Sequence, residues 1–252
     1  MCVLLAPGCW PGRSKEPTFP TDRPIVLGWR FVPGAVHTFR SVVTRHSGRV
    51  QQSRAEEWTY LVRELDDDGI ATLEGHLSGF GAGVEVDEQA LPDGAMSHAL
   101  EAEREALGPV QIRLGMDGRL HGLSTQQLDR SLPHELLAMR VPATPIRPGE
   151  LWPEMALVRA FSELVPIDLQ IEVRGEAQVV GLSDRGGVTT VEMSSQGSVR
   201  TTDGPSVSVR STCRWDADRG LLVHRAAEAR FAPVERDPIR EPGVLSMELT
   251  LI

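Results

Sequence analysis

Two stretches of this chain are punctuated in the same way, and that repetition constrains the fold more than any single motif does. "RFVPGAVHTF" (residues 30–39) and "PIRPGELWPE" (residues 145–154) each set a Pro-Gly turn ahead of an extended segment that carries aromatics. "WTYLVRELDDDGIATLEG" then finds its counterpart in "EAQVVGLSDRGGVTTVEM". In both, an apolar run meets an Asp-bearing turn with glycine (Gly69, Gly187) and continues into Ile, Val and Thr. Each half closes on a further hairpin, "VQIRLGMDGRLHGL" and "VSVRSTCRWDADRGLLVHRAAEARF". Val110, Ile112, Leu114 and Met116 alternate with polar or small residues, as do Val207, Val209, Cys213 and Trp215, which is the two-residue period of a half-buried strand. Asp117-Gly118 predicts a two-residue type I′ turn, because both central positions need positive φ. The 24 glycines and 18 prolines among 252 residues supply the turns that many short strands require.

The pattern predicts a mainly β protein with minor α: two similar antiparallel curved sheets, or half-barrels, in tandem, with a few short helices covering one face. The organisation expected is a signal-like or disordered tether (residues 1–24), a first β-rich unit with an inserted helix (25–123), a helical connector (124–143), and a second β-rich unit with a C-terminal tail (144–252). The inserted helix is expected over Ala95–Leu107, with Met96, Leu100 and Leu107 toward one side. In the connector, Leu128, Leu132, Leu136 and Met139 stand at helical spacing, Ser124 and Gln127 resemble a capping box, and Pro133 is expected to break the run into two short helices.

"ELDDDGIATLEG" is the stretch that looks most like chemistry. A calcium loop needs oxygen ligands at alternating positions, glycine at the sixth and a bidentate Glu at the twelfth. Counted from Asp66, the fifth, sixth and twelfth positions are Ile70, Ala71 and Leu77. Asp66, Asp67 and Asp68 therefore read as a solvated hairpin tip, with Gly69 taking the left-handed conformation. None of the seven histidines forms a helical His-Glu-x-x-His site, and His134 reads as a helix-start residue. "GHLSGFGAG" lacks the Lys-Ser/Thr of a phosphate loop and reads as a turn or bulged strand, while "GLSDRG" is not a Gly-x-Ser-x-Gly elbow. Cys213 stands alone and reads as a small buried hydrophobe. No catalytic residue, metal ligand or cofactor is assigned on this basis. Trp29, Trp58, Tyr60, Trp152 and Trp215 fall at strand or strand-entry positions; they are either core or the lining of an apolar ligand site on the concave side of a curved sheet.

The net charge of −9 is uneven. Residues 51–108 hold fourteen Asp and Glu against three Arg, a local −11 that leaves the rest at +2. Such a balance argues against nucleic acid and anionic membrane surfaces, whose phosphates reward basic protein; it suits a basic protein partner. No stretch is long and apolar enough for a transmembrane helix. At the N-terminus, Val3–Ala6 is a short apolar run ahead of Cys9. Two readings stand: the end of a lipoprotein signal with an upstream start codon and Cys9 as lipid attachment site, or a disordered cytoplasmic tail.

The Pro-Gly-aromatic opening (Pro33, Gly34, Phe39), the tyrosine-bearing strand before a Gly turn (Tyr60, Gly69), the strand–Asp-Gly–strand hairpin (Asp117, Gly118) and the second Pro-Gly-x-x-Trp opening (Pro148, Gly149, Trp152) resemble an uncharacterised family of bacterial exported proteins and lipoproteins with a duplicated β-rich body. The resemblance covers about residues 28–231. It implies a cell-envelope location, periplasmic or lipid-anchored, and carries no catalytic residues. The function expected is a non-enzymatic envelope protein that binds a hydrophobic or lipid-like ligand. The alternatives are an acidic protein-interaction module and, third, a hydrolase with a spatially assembled site.

Overall fold

In the computed structural model, residues 24–47, 49–86, 89–90, 108–124, 132–160, 169–185, 188–200, 206–232 and 243–252 are described. Nearly all of them are strand. The first half contributes β1 (Val36–Ser47), β2 (Val50–Leu65), β3 (Ile70–Val86), β4 (Gln89–Ala90), β5 (Val110–Gly115) and β6 (Leu120–Ser124). A short helix follows, α1 (Leu132–Leu137), and then β7 (Leu151–Ala160), β8 (Leu169–Arg185), β9 (Val188–Arg200), β10 (Ser206–Asp216), β11 (Leu221–Ala232) and β12 (Gly243–Leu251).

The strands form one open antiparallel sheet in the order β6-β5-β3-β2-β1-β12-β11-β10-β9-β8-β7, with β4 on the margin of β3. The expected antiparallel β class is what the structure shows, but as one sheet rather than two in tandem, because β1 of the first half pairs with β12 of the second. The chain starts mid-sheet at β1 and works outward to β6. It then returns through α1 to the opposite edge, β7, and works back to the middle, where β12 pairs with β1 from Phe39↔Leu251 to Ser47↔Gly243. Residues 243–251 are therefore no tail but a central strand. Leu245, Met247 and Leu249 are buried at every second position of β12, the period that a strand with one face on a core requires.

The sheet is strongly curled, and two contacts show it. The N–H groups of Trp29 and Arg30, neighbours in sequence, donate to Met116 O (2.8 Å) and Gly220 O (3.0 Å). Those carbonyls sit at the ends of β5 and β11, five strand positions apart, or roughly 24 Å in a flat sheet at about 4.8 Å per strand. Second, Arg225 on β11 reaches Glu154 on β7, four positions away, at 3.0 Å. Two side chains span such a gap only if the sheet bends toward the face that bears them. On that concave side lie the extended segment before β1, whose Leu27, Trp29 and Phe31 are buried, and the connector with α1. An isolated bridge, Ile25↔Ile146, ties segment to connector.

Local geometry corrects one expectation. Gly118 N–H donates to Gly115 O and Gly115 N–H to Arg119 O, each at 2.9 Å. The β5–β6 connection is thus a turn centred on Met116 and Asp117 with left-handed Gly118 (φ +75°) after it, the longer hairpin form rather than a two-residue type I′ turn. Met116 is held there from both sides, its N–H on Gly69 O and its carbonyl on Trp29 N–H. Pro133 is the second residue of α1; its missing N–H falls in the first turn, where no intrahelical partner exists. The helix expected over Ala95–Leu107, Leu128 and the first residues of the connector lie outside the described residues, as does Gly187.

Gly118 does two jobs. Its φ is left-handed, and a Cβ there would stand 1.7 Å from Met139 O, where the connector docks on the hairpin through Val141 N–H to Asp117 O. Gly34 shares the left-handed φ, with nothing within 4 Å of a would-be Cβ. Urea unfolding followed by tryptophan fluorescence should therefore separate two alanine variants. Gly34→Ala should cost about 1 kcal/mol, the backbone penalty alone, and Gly118→Ala more than about 2 kcal/mol, because backbone must also move. Equal costs would show that the connector does not dock on this hairpin.

Candidate functional site

Alternation along β2 turns Arg54, Glu56, Trp58, Tyr60 and Val62 to the concave side. The ladders set Ser41 and Phe80 opposite Glu56, Phe39 and Leu77 opposite Trp58, and His37 and Gly75 opposite Tyr60. Gly75 leaves the space that the Tyr60 ring fills, since a Cβ there would lie 2.8 Å from both Tyr60 and Val110. Trp58 and Tyr60 are stacked at 6.4 Å, and His134 of α1 stands edge-on to Trp58 at 4.5 Å.

This aromatic floor carries buried polar groups. Glu56, 1% exposed, receives a hydrogen bond from Trp58 Nε1 at 2.6 Å and is ion-paired with Arg54, which also lies 5.6 Å above the Phe80 ring. His134 Nδ1 and the Tyr60 hydroxyl are 2.6 Å apart. Burial, and then the Glu56 charge, hold the Tyr60 phenol well above its usual range, so it keeps its proton. Burial pushes His134 down to about 3, with Arg54 adding to the shift, so the ring is neutral.

A second polar group sits across the curl. Arg225 donates to Glu154 Oε1 (3.0 Å) and to Leu136 O of α1 (3.1 Å), fixing the helix, β7 and β11 together. In register beside this pair runs a row of small residues, Ala227, Ser211, Ser195 and Ala177, one per strand from β11 to β8. Their low profile gives long side chains room to cross. Cys213 lies opposite Arg225, buried, with its thiol pushed up to about 12 by burial and so inert as a nucleophile.

All five aromatics singled out from the sequence are buried on this side, four of them in two groups and Trp152 apart. Trp29 stacks on Phe31 at 5.4 Å and meets Trp215 edge-on at 5.0 Å; Trp58 and Tyr60 surround His134; Trp152 donates from Nε1 to Arg140 O at 3.3 Å. Missed in the sequence were Glu56, Glu154 and Arg225, and the buried role of His134. The signal for Glu56 was present, because it shares its parity with Trp58 and Tyr60. None existed for the Arg225–Glu154 contact, whose partners are 71 residues apart.

The aspartate tip is a hairpin in structure as well. Asp66 Oδ1 accepts from the backbone N–H of Asp68 and Ile70, and Oδ2 from Arg113, which together lower its pKa. Among the described residues no three His, Cys, Asp or Glu side chains are gathered as a metal site needs. Glu74, held at about 2 chiefly by hydrogen bonds from Arg63 and His76, and Asp66 on Arg113 show that part of the acidic surplus in residues 51–108 is matched within the sheet. "GHLSGFGAG" is β3 with a bulge opposite Glu57 and Trp58.

No family model matches the chain, and no curated protein does. Among solved structures, one of lipovitellin, described by its lipid–protein interactions, matches with a TM-score of 0.52 at 11% identity. The match covers 88% of this chain, which spans a quarter (25%) of the length of the lipovitellin chain. At that identity the likeness is one of fold: a large open antiparallel sheet. Among the described residues no helix is long and apolar enough to cross a membrane.

The Arg225–Glu154 pair is buried on both sides, so removing one partner strands the other charge. Arg225→Met should cost about 3–5 kcal/mol, whereas Arg225→Met with Glu154→Leu should be within about 1 kcal/mol of wild type or more stable. Denaturant midpoints of the three proteins decide it; additive losses would mean that the two groups do not pair.

Proposed function

We propose that the protein binds a hydrophobic or lipid-like ligand on the concave side of its sheet and is not an enzyme. The observation that carries this reading is that the inward face continues beyond α1. From Arg225 to Phe231, β11 runs six residues further, about 20 Å. At that level Phe231, Val207 and Val199 stand in register on β11, β10 and β9, with Phe231 and Val199 only partly buried. Val207 is buried there, but among the described residues the apolar surface of Phe231 and Val199 outruns its cover, and such surface favours an apolar guest. The likeness to a lipovitellin sheet supports the reading as a precedent for this architecture beside lipid. Trp58, Tyr60, Trp29, Trp215 and Trp152 form the floor against which such a ligand ends, not its walls.

The proposal includes a location. The apolar run before Cys9 and the family resemblance support an envelope protein lipidated at Cys9, with the following residues to Pro24 as tether. Labelling the full-length gene product with a clickable palmitate analogue in a bacterial host should tag the wild type and not Cys9→Ala; equal labelling of both would remove Cys9 from the proposal.

The ligand itself is tested by native mass spectrometry of protein purified in mild detergent, and by titration with a fluorescent fatty acid. Wild type should carry co-purifying lipid or bind the probe saturably. Phe231→Asp, a charge on the partly open stretch, should weaken binding at least about tenfold. A protein that neither carries lipid nor binds the probe, or a variant that binds as wild type does, would overturn the reading.

A further inference from the structure

α1 is the one helix among the described residues, and it bridges the concave side. Leu136, Leu137 and Met139 are buried there, but those contacts are non-directional. Two directional bonds set the helix in place: Arg225 to Leu136 O, and Tyr60 to His134. The first joins a permanent cation to a carbonyl. The second runs to a buried ring that can gain a proton and that lies beside the Arg54 cation.

We propose that His134 is a proton-sensitive latch: protonation of its ring releases α1 from β2 and bares the concave face. The biological sense of the latch rests on the ligand reading above; the latch itself does not.

The surroundings of the ring explain why a charge there has no compensation. From β2, Tyr60 offers its hydroxyl, Trp58 the edge of its indole, and Arg54 a like charge. Glu56, the carboxylate on the same strand, is committed to Arg54 and to Trp58 Nε1–H. From β1, His37 stands opposite Tyr60 and is itself disfavoured as a cation, by burial and by Arg219. β12, which α1 touches, turns only apolar side chains inward: Leu245, Met247, Leu249 and Leu251. From β11 and β7, Arg225 pairs with Glu154 through Oε1, while Glu154 Oε2 is buried without a hydrogen-bond partner; the ion pair leaves the two groups with no net charge.

The sign follows by linkage. The docked ring has its pKa lowered from 6.5 to about 3, while a released ring titrates at its ordinary value. Docking is therefore fully favoured above about pH 6.5, weakens by about tenfold for each unit below it, and reaches its floor once the pH falls past about 3.

Hydrogen exchange of the full chain, corrected for intrinsic rates and read on peptides covering residues 132–141, tests this at about pH 7 and about pH 5. The opening of α1 should rise at least about tenfold between them, while β10 (residues 206–216) stays protected. His134→Gln should open α1 to the same extent at both values. Should that variant fail to fold, Tyr60→Phe, which removes only the phenol, should raise opening about fivefold at pH 7, the loss of one hydrogen bond, and keep the dependence on pH. Constant protection in wild type, an equal pH response in His134→Gln, or loss of protection in β10 together with α1 would each overturn the latch. Probe binding measured in parallel separates the two ideas: a working latch without binding sinks the ligand reading alone, and binding without a pH response sinks the latch alone.

Discussion

Everything in this molecule hangs on the ladder between β1 and β12. It pairs residues 39–47 with residues 243–251, strands from opposite ends of the described chain, and through it two separate meanders become one sheet. Without it each meander would present an unpaired central strand, a surface of free N–H and C=O groups that soluble proteins avoid exposing. The ladder also decides the curl. Only a continuous sheet brings the β5 and β11 ends close enough for Trp29 and Arg30, consecutive residues, to bond both. Because its partners are some two hundred residues apart, its closure entropy falls late in folding, after the local hairpins can already form.

The concave side that results is mostly apolar but not uniformly so. Glu56 with Arg54 and Trp58, Tyr60 with His134, and Arg225 with Glu154 lie where the chain from the far edge crosses the sheet. An apolar strap could settle in several registers against leucines and valines. Paired polar groups cannot, because each misplacement leaves a buried donor or acceptor without a partner. The specificity of how α1 sits is thus carried by these few groups, while the burial of Leu136, Leu137 and Met139 supplies most of the attraction.

Much of the strand content was legible. Alternation at Val110–Leu114 and Val207–Trp215, the Pro-Gly openings and the Asp-Gly turns each have a local physical cause, and the strands stand where those causes put them. β12 shows a different failure. "GVLSMELTL" alternates as clearly as any strand in the chain, yet it follows a proline-bearing stretch and has no hairpin partner beside it in sequence. With its pairing strand at the other end of the protein, local reasoning offered no reason to place it in the sheet. Asp117-Gly118 shows the opposite limit: the turn was correct in place but not in kind, because Met116 is bound by Gly69 and Trp29 from outside the hairpin.

The amino-acid sequence by itself determined the two-residue periodicity, the positions of the bends, the burial of Cys213 and the absence of a calcium-loop pattern at Asp66, since each depends on residues within a few positions of one another. Only the tertiary structure decided which strands are neighbours, which face is concave, and that Glu56, His134, Glu154 and Arg225 are interior. The reason is physical: a side chain's parity tells that it shares a face with its second neighbour, but whether that face meets water or protein depends on the curl, and the curl is a property of the whole sheet.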